Sequence, residues 1–163
     1  MSRIYMIYSH FLHPLDLVMR LRPFHPLTKP YLVRPLQTAL LQTDGSFSMK
    51  HKGISRTAVI LTTYKGNTYT LSKTYFDHTD STESEWCSVL DGITYAMKRG
   101  QESLELENDN LGVIQSLILA VRPNRPHIAD YYHAIQESVG LFEYMGVRWI
   151  PRRMNRADGL FHV

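Results

Sequence analysis

The strongest constraint on the fold is a hydrophobic period that changes repeatedly along the chain from residue 36 onward. Leu36 to Thr43 is a short apolar run that leads into Asp44-Gly45, the pattern of a strand entering a turn. Residues 54–63 and 68–76 are rich in Ile, Val, Thr and Tyr, and Lys65-Gly66-Asn67 between them is a hairpin signal. From Thr82 to Arg99 the period becomes helical, with Trp86, Val89, Leu90, Ile93, Ala96 and Met97 on one stripe and Gly100 as a stop. Ser103 to Glu107 alternates again, with Leu104 and Leu106 facing one way and Glu105 and Glu107 the other. Two helical stretches follow, Asn110–Val121 and Ile128–Val139, then a strand at Val147–Ile150 and a short last helix from Asn155. Helical crossovers return the chain in the same direction, so the first, fourth and fifth strands should lie parallel. The expected fold is α/β: a mixed five-stranded sheet, three antiparallel strands plus two parallel, with helices on both faces.

Charge divides the chain in two. Residues 1–36 carry Arg3, Arg20, Arg22, Lys29 and Arg34 against Asp16 alone, together with five prolines and no glycine. The rest holds thirteen basic and fourteen acidic side chains. This reads as a basic, proline-rich N-terminal extension, 1–36, on a nearly neutral domain, 37–163. Basic residues suit phosphate contacts, and Tyr5, Tyr8, Phe11, Phe24 and Tyr31 suit an arm that docks on a protein or ribonucleoprotein partner. A solvated, proline-stiffened lead-in explains the same composition equally well, and an Arg-containing, acid-poor start also fits an organelle transit peptide. A domain of this length has a full-sized core. Cys87 is the single cysteine, which excludes an internal disulfide, and no apolar run reaches the roughly 18 residues of a spanning helix. The expectation is an intracellular protein, cytoplasmic or organellar, not secreted and without a membrane partner.

Four acids stand at the ends of these elements: Asp44, Glu85, Asp109 and Asp158. Each has an ordinary explanation. Asp44 precedes a glycine in a turn pair; Glu85 closes a capping box opened by Thr82. Asp109 suits the N-cap of the next helix, and Asp158 complements a helix dipole. Their joint placement has no such explanation. Parallel strands put Asp44 and Asp109 at the carboxyl edge of the sheet, where open α/β sheets bind ligands. A helix beginning there brings in Glu85, and one following the last strand brings in Asp158.

The contexts resemble a known family. Gln42-Thr43-Asp44-Gly45-Ser46 is similar to the T-D-G-S of ribonuclease HI, and residues 84–93, SEWCSVLDGI, to its A-E-(aromatic)-x-A-L-x-x-G-L helix. Leu106-Glu107-Asn108-Asp109-Asn110 with Val113 resembles the D-S/N-x-x-V strand, and residues 152–158, RRMNRAD, the closing R-x-x-N-x-x-A-D. The resemblance implies that Asp44, Glu85, Asp109 and Asp158 ligate two Mg²⁺ ions, with Mn²⁺ as a substitute. It further implies endonucleolytic hydrolysis of the RNA strand of an RNA–DNA hybrid, leaving 5′-phosphate ends. Gly45, Ser46, Ser84 and Asn110 would lie near that strand, and Arg152 and Arg153 would contact nucleic acid.

The chain departs from the family pattern at three points. Only Arg156 separates Asn155 from Ala157, one residue fewer than usual. The loop Pro151-Arg152-Arg153-Met154 lacks the histidine of many cellular members, and Arg122–Pro126 is too short for a basic helical protrusion. The resemblance is therefore to the small, reverse-transcriptase-like branch. Related proofreading exonucleases need a second acid where Ser46 stands. Integrases need a helical Glu, whereas Glu143 precedes a strand. The rival reading is a ribonuclease H-like module that binds nucleic acid or serves structurally in a ribonucleoprotein or replication complex. No G-x-x-x-x-G-K-[ST] supports triphosphate hydrolysis, and His10 and His13 lack further ligands at zinc spacing.

Overall fold

A computed structural model of the chain describes residues 3–6, 18–22, 35–51 and 53–162. The meander expected from residue 36 is formed by β3 (Ala39–Ser48), β4 (Ile54–Thr62) and β5 (Thr68–Tyr75), all antiparallel. The turn between β4 and β5 needs a left-handed residue, and Gly66 supplies it at φ +87°. Helix α1 (Ser81–Lys98) follows, then β6 (Ser103–Asn108), α2 (Leu111–Leu119), α3 (Pro126–Val139) and β7 (Tyr144–Trp149). β6 runs parallel to both β3 and β7, as crossover helices require. After β7 the chain forms two 3-10 segments, Arg152–Met154 and Arg156–His162, in place of the expected short helix.

The five expected strands are joined by two more. β1 (Arg3–Met6) and β2 (Val18–Arg22), both from the first 36 residues, form an antiparallel pair on the outer edge of β7. The sheet order is β1-β2-β7-β6-β3-β4-β5. Tyr8, Phe11, Phe24 and Tyr31 of the expected docking arm, and the His10–His13 pair, lie outside the described residues.

Alternation assigns the two faces. Leu41, Val59, Leu61, Leu104, Leu106, Met145 and Val147 share one face with buried side chains of α1, α2 and α3, including Trp86, Ile93, Ile114, Leu117, Tyr132 and Ile135. The far face carries Ala58 and Ile60, which bury against Ala157 of the last 3-10 segment, with Leu160 and Phe161 packed around them. Glu105 and Glu107 point to this far face as the alternation predicts, yet both are buried. Tyr144 donates its hydroxyl to Glu105 Oε2 at 2.9 Å, Gln42 Nε2 donates to Glu107 Oε2 at 2.8 Å, and Arg148 ion-pairs with Glu107. These partners satisfy carboxylates whose burial would otherwise be costly.

Candidate metal centre

The site forms where β3 outruns its parallel neighbour. β6 reaches only Ala39–Gln42 of β3, so among the described residues β3 has no strand partner on that side beyond Thr43. The first turn of α1 crosses there. Asp44 and Gly45 are not a turn, as the sequence suggested, but continue β3, opposite Ala58 and Thr57. The glycine serves packing instead. A Cβ on Gly45 would sit 2.4 Å from the carbonyl carbon and oxygen of Ser84 and 2.5 Å from Glu85 N. Bare backbone at this point lets the helix start lie against the strand. Gly45→Ala is therefore expected to push α1 away, costing about 1–3 kcal/mol of stability and weakening divalent-cation binding. Thermal unfolding and a Mn²⁺ titration read the two effects.

The helix cap lies two residues earlier than its sequence suggested. Asp80, not Thr82, is the N-cap of α1, accepting from Glu83 N at 2.9 Å, and Glu83 accepts in turn from Thr79 N at 2.7 Å. Glu85 is thus released from capping. The cap of α2 is displaced too, by one residue in the other direction: Asn110, not Asp109, caps it by accepting from Val113 N at 3.1 Å. The ordinary roles assigned to these two acids belong to their neighbours.

Asp44, Glu85 and Asp109 converge, and each offers a carboxylate oxygen within 4.8 Å of the others. Burial, then the charges of Asp109 and Asp158, pushes Asp44 up to about 7. Burial, then Asp44 and Asp109, pushes Glu85 up to about 9. Glu85 Oε2 is buried without a hydrogen-bond partner. Crowded carboxylates with an orphaned oxygen suit a divalent cation, which takes hard oxygen ligands and cancels their repulsion. The three residues present fit such an ion.

Asp158 is not one of this trio but reaches it through a side-chain hydrogen bond with Asp44. It is near enough for its charge to raise Asp44, but it forms an ion pair with Arg152 at 2.7 Å and lies 3.8 Å from His162 Nε2. Of the other expected site residues, Ser46 and Asn110 are half-buried and Arg152 and Arg153 are exposed. Ser84 differs from these. It is fully buried, its hydroxyl 2.6 Å from Ser55 Oγ and donating to Asp80 O at 3.2 Å, because the close crossing at Gly45 turns it into the scaffold. Glu143 lies before β7 at the opposite end of β6, its N–H bonded to Glu102 O.

Three positioning side chains escaped the sequence reading. Asn108 Nδ2 donates to Thr43 O and Oγ1 at 2.9 and 3.0 Å, tying the end of β6 to β3. Asn155 Nδ2 donates to the same Thr43 O at 2.9 Å and to Asp109 Oδ1 at 3.2 Å. Trp149 donates its indole N–H to Asp109 O at 3.0 Å. Asn155 closes the motif RRMN, and its position two residues before Ala157-Asp158 was the available signal. Asn155→Ala would strip a donor from a buried carbonyl and an acid at once. It is expected to cost about 1–3 kcal/mol and roughly 10–100-fold in cation affinity, measured by denaturant unfolding and metal titration.

The reverse transcriptase-like family matches residues 42–158, a span that holds all four acids. The chain belongs to this family. Solved structures agree on its ribonuclease H-like fold. RNase H1 from the archaeon Halobacterium salinarum superposes with a TM-score of 0.68 at 22% identity, covering 76% of this chain and 93% of that one. LC11-RNase H1, solved in complex with an RNA/DNA hybrid, gives 0.61 at 21%, over 76% and 93%. A foamy viral protease-reverse transcriptase structure in complex with dsDNA gives 0.63 at 19%, over 80% and 95%. No curated protein matches the chain. This reverse transcriptase-like chain has no helix among its described residues long and apolar enough to cross a membrane.

Proposed function

We propose that this chain is a metal-dependent endoribonuclease that hydrolyses the RNA strand of RNA–DNA hybrids. The observation that carries the proposal is the convergence of Asp44, Glu85 and Asp109 within 4.8 Å at the open edge of β3. Two Mg²⁺ ions, or Mn²⁺ in their place, would supply an activated water and stabilise the leaving oxygen for in-line attack on a phosphodiester. Asp44, Glu85 and Asp109 hold the cations, with Asp158 as the fourth ligand once Arg152 turns from it toward a phosphate. Asn108 and Asn155 fix Asp109 against β3, so the carboxylates are positioned before substrate arrives. Gly45, Ser46 and Asn110 lie beside the strand to be cut, and Arg152 and Arg153 give the exposed positive charge that holds the backbone.

One observation favours a second reading, a ribonuclease H-like module that binds without cutting: Asp158 is ion-paired with Arg152 and is not among the acids that cluster within 4.8 Å. A labelled RNA–DNA hybrid incubated with the protein and Mg²⁺ or Mn²⁺ separates them. Cleavage of the RNA strand into 5′-phosphate products supports the nuclease. Binding of the hybrid without cleavage under either metal supports the module.

A further inference from the structure

On the far face of the sheet, beside the trio, a groove of about 350 Å³ is lined by Ser46, Ser48, Ile54, Arg56, Phe161 and His162. Its composition follows from register. Ser46 lies opposite Arg56 and Ser48 opposite Ile54, and these even-numbered positions share the face of Asp44 and its partner Ala58. The floor is thus two cross-strand pairs in direct continuation of the Asp44–Ala58 pair. Each step of two residues advances about 7 Å along the strand. Phe161 and His162, from the 3-10 segment that carries Asp158, form the wall.

Two features give the groove a chemistry. Arg56 is exposed and makes no ion pair among the described residues, although the acids stand one pair away. Phe161 is only half-buried, packed on the Ala58–Ile60–Ala157 cluster where it borders the groove. An unpaired guanidinium beside an aromatic ring suits a phosphate with its attached base: the charge meets the backbone and the ring offers a stacking surface.

We infer that this groove is a nucleic-acid subsite, in which the strand held at the trio continues along β3 with a phosphate on Arg56 and a base against Phe161. The assignment rests on the nuclease reading for the position of the strand, and its test is therefore a binding measurement. Affinity for a labelled RNA–DNA hybrid is measured over a salt series for the wild type, Arg56→Ala, Arg56→Lys, Phe161→Leu and, as a remote basic control in the β4–β5 turn, Lys65→Ala.

Arg56→Ala should weaken binding roughly five- to tenfold and lower the slope of log affinity against log salt by about one. Arg56→Lys should restore the slope, Phe161→Leu should weaken binding without changing it, and Lys65→Ala should match wild type. In cleavage, Arg56→Ala should raise KM and leave kcat unchanged. If the wild type cuts the hybrid but Arg56→Ala keeps its affinity and salt slope, the groove assignment is overturned while the nuclease stands. If the wild type binds without cutting and Arg56→Ala still loses affinity and slope, the groove stands and the nuclease reading falls. A wild type that neither binds nor cuts the hybrid overturns both.

Discussion

Asp44→Asn should abolish hybrid cleavage and at the same time make the metal-free protein more stable. Loss of activity follows from the position of Asp44 at the centre of the site, on β3 with Glu85 and Asp109 around it. Removing a cation ligand there should cost several kcal/mol of transition-state stabilisation, about a thousandfold or more in kcat. The gain in stability follows from the same crowding. Burial and the charges of Asp109 and Asp158 hold Asp44 up to about 7. An ionised Asp44 is thus a liability in the metal-free fold. An isosteric amide removes that charge while keeping its shape. The expected gain is on the order of 1–2 kcal/mol, or about 3–6 °C in Tm, at pH 8 in a chelating buffer. Saturating Mg²⁺ should reverse the order, because only the wild type retains its full set of ligands. A residue that merely held the strand in place would lose stability under both conditions. Differential scanning calorimetry with and without Mg²⁺, beside a cleavage assay, distinguishes the two. An Asp44→Asn protein less stable than wild type in chelator would contradict the metal-site assignment.

The elements were legible in the sequence because hydrophobic period reports which face is buried. The parallel relation of β3, β6 and β7 followed from the helices between them. Local signals failed where two neighbouring registers were equally plausible. Residues 80–85, DSTESE, contain both Asp80…Glu83 and Thr82…Glu85 as capping pairs. Tertiary contact chose the first, because the close approach at Gly45 draws Glu85 toward Asp44. Asp44-Gly45 read as a turn for a similar reason. A glycine needed for backbone contact looks in sequence like one needed for a left-handed bend. The support around the site was less visible. Nothing local to Asn108 or Trp149 announces that each ties β6 to an adjacent strand; that depends on strands brought together from 40 or more residues away. Glu107 is a further case. Alternation placed it on the far face, but its burial depends on Gln42 and Arg148, which only the folded sheet sets beside it.

The cation should stabilise the protein more as pH rises, with a dependence set by Glu85 and Asp44. Burial and neighbouring charge raise Glu85 to about 9 and Asp44 to about 7. A carboxyl raised in the folded state holds its proton there after the unfolded chain has lost it. The metal-free protein therefore has this contribution in full below about pH 4 and loses it progressively as pH rises, through about 7 for Asp44 and about 9 for Glu85. A bound cation requires both groups ionised. Between about pH 9 and 7 it must displace one proton, so its affinity should fall up to about tenfold per unit. Below about pH 7 it must displace two, and the fall should steepen toward about a hundredfold per unit. The Tm difference between Mg²⁺ and chelator should accordingly widen from pH 6 to pH 9, and proton release should accompany a Mg²⁺ titration in weakly buffered solution. Glu85→Gln should remove the upper part of this dependence and leave the part near pH 7. A Tm difference that stays constant across the range would mean the cation binds elsewhere. The widening would show that Asp44 and Glu85 bind the cation as one site, held together by the crossing of α1 over Gly45.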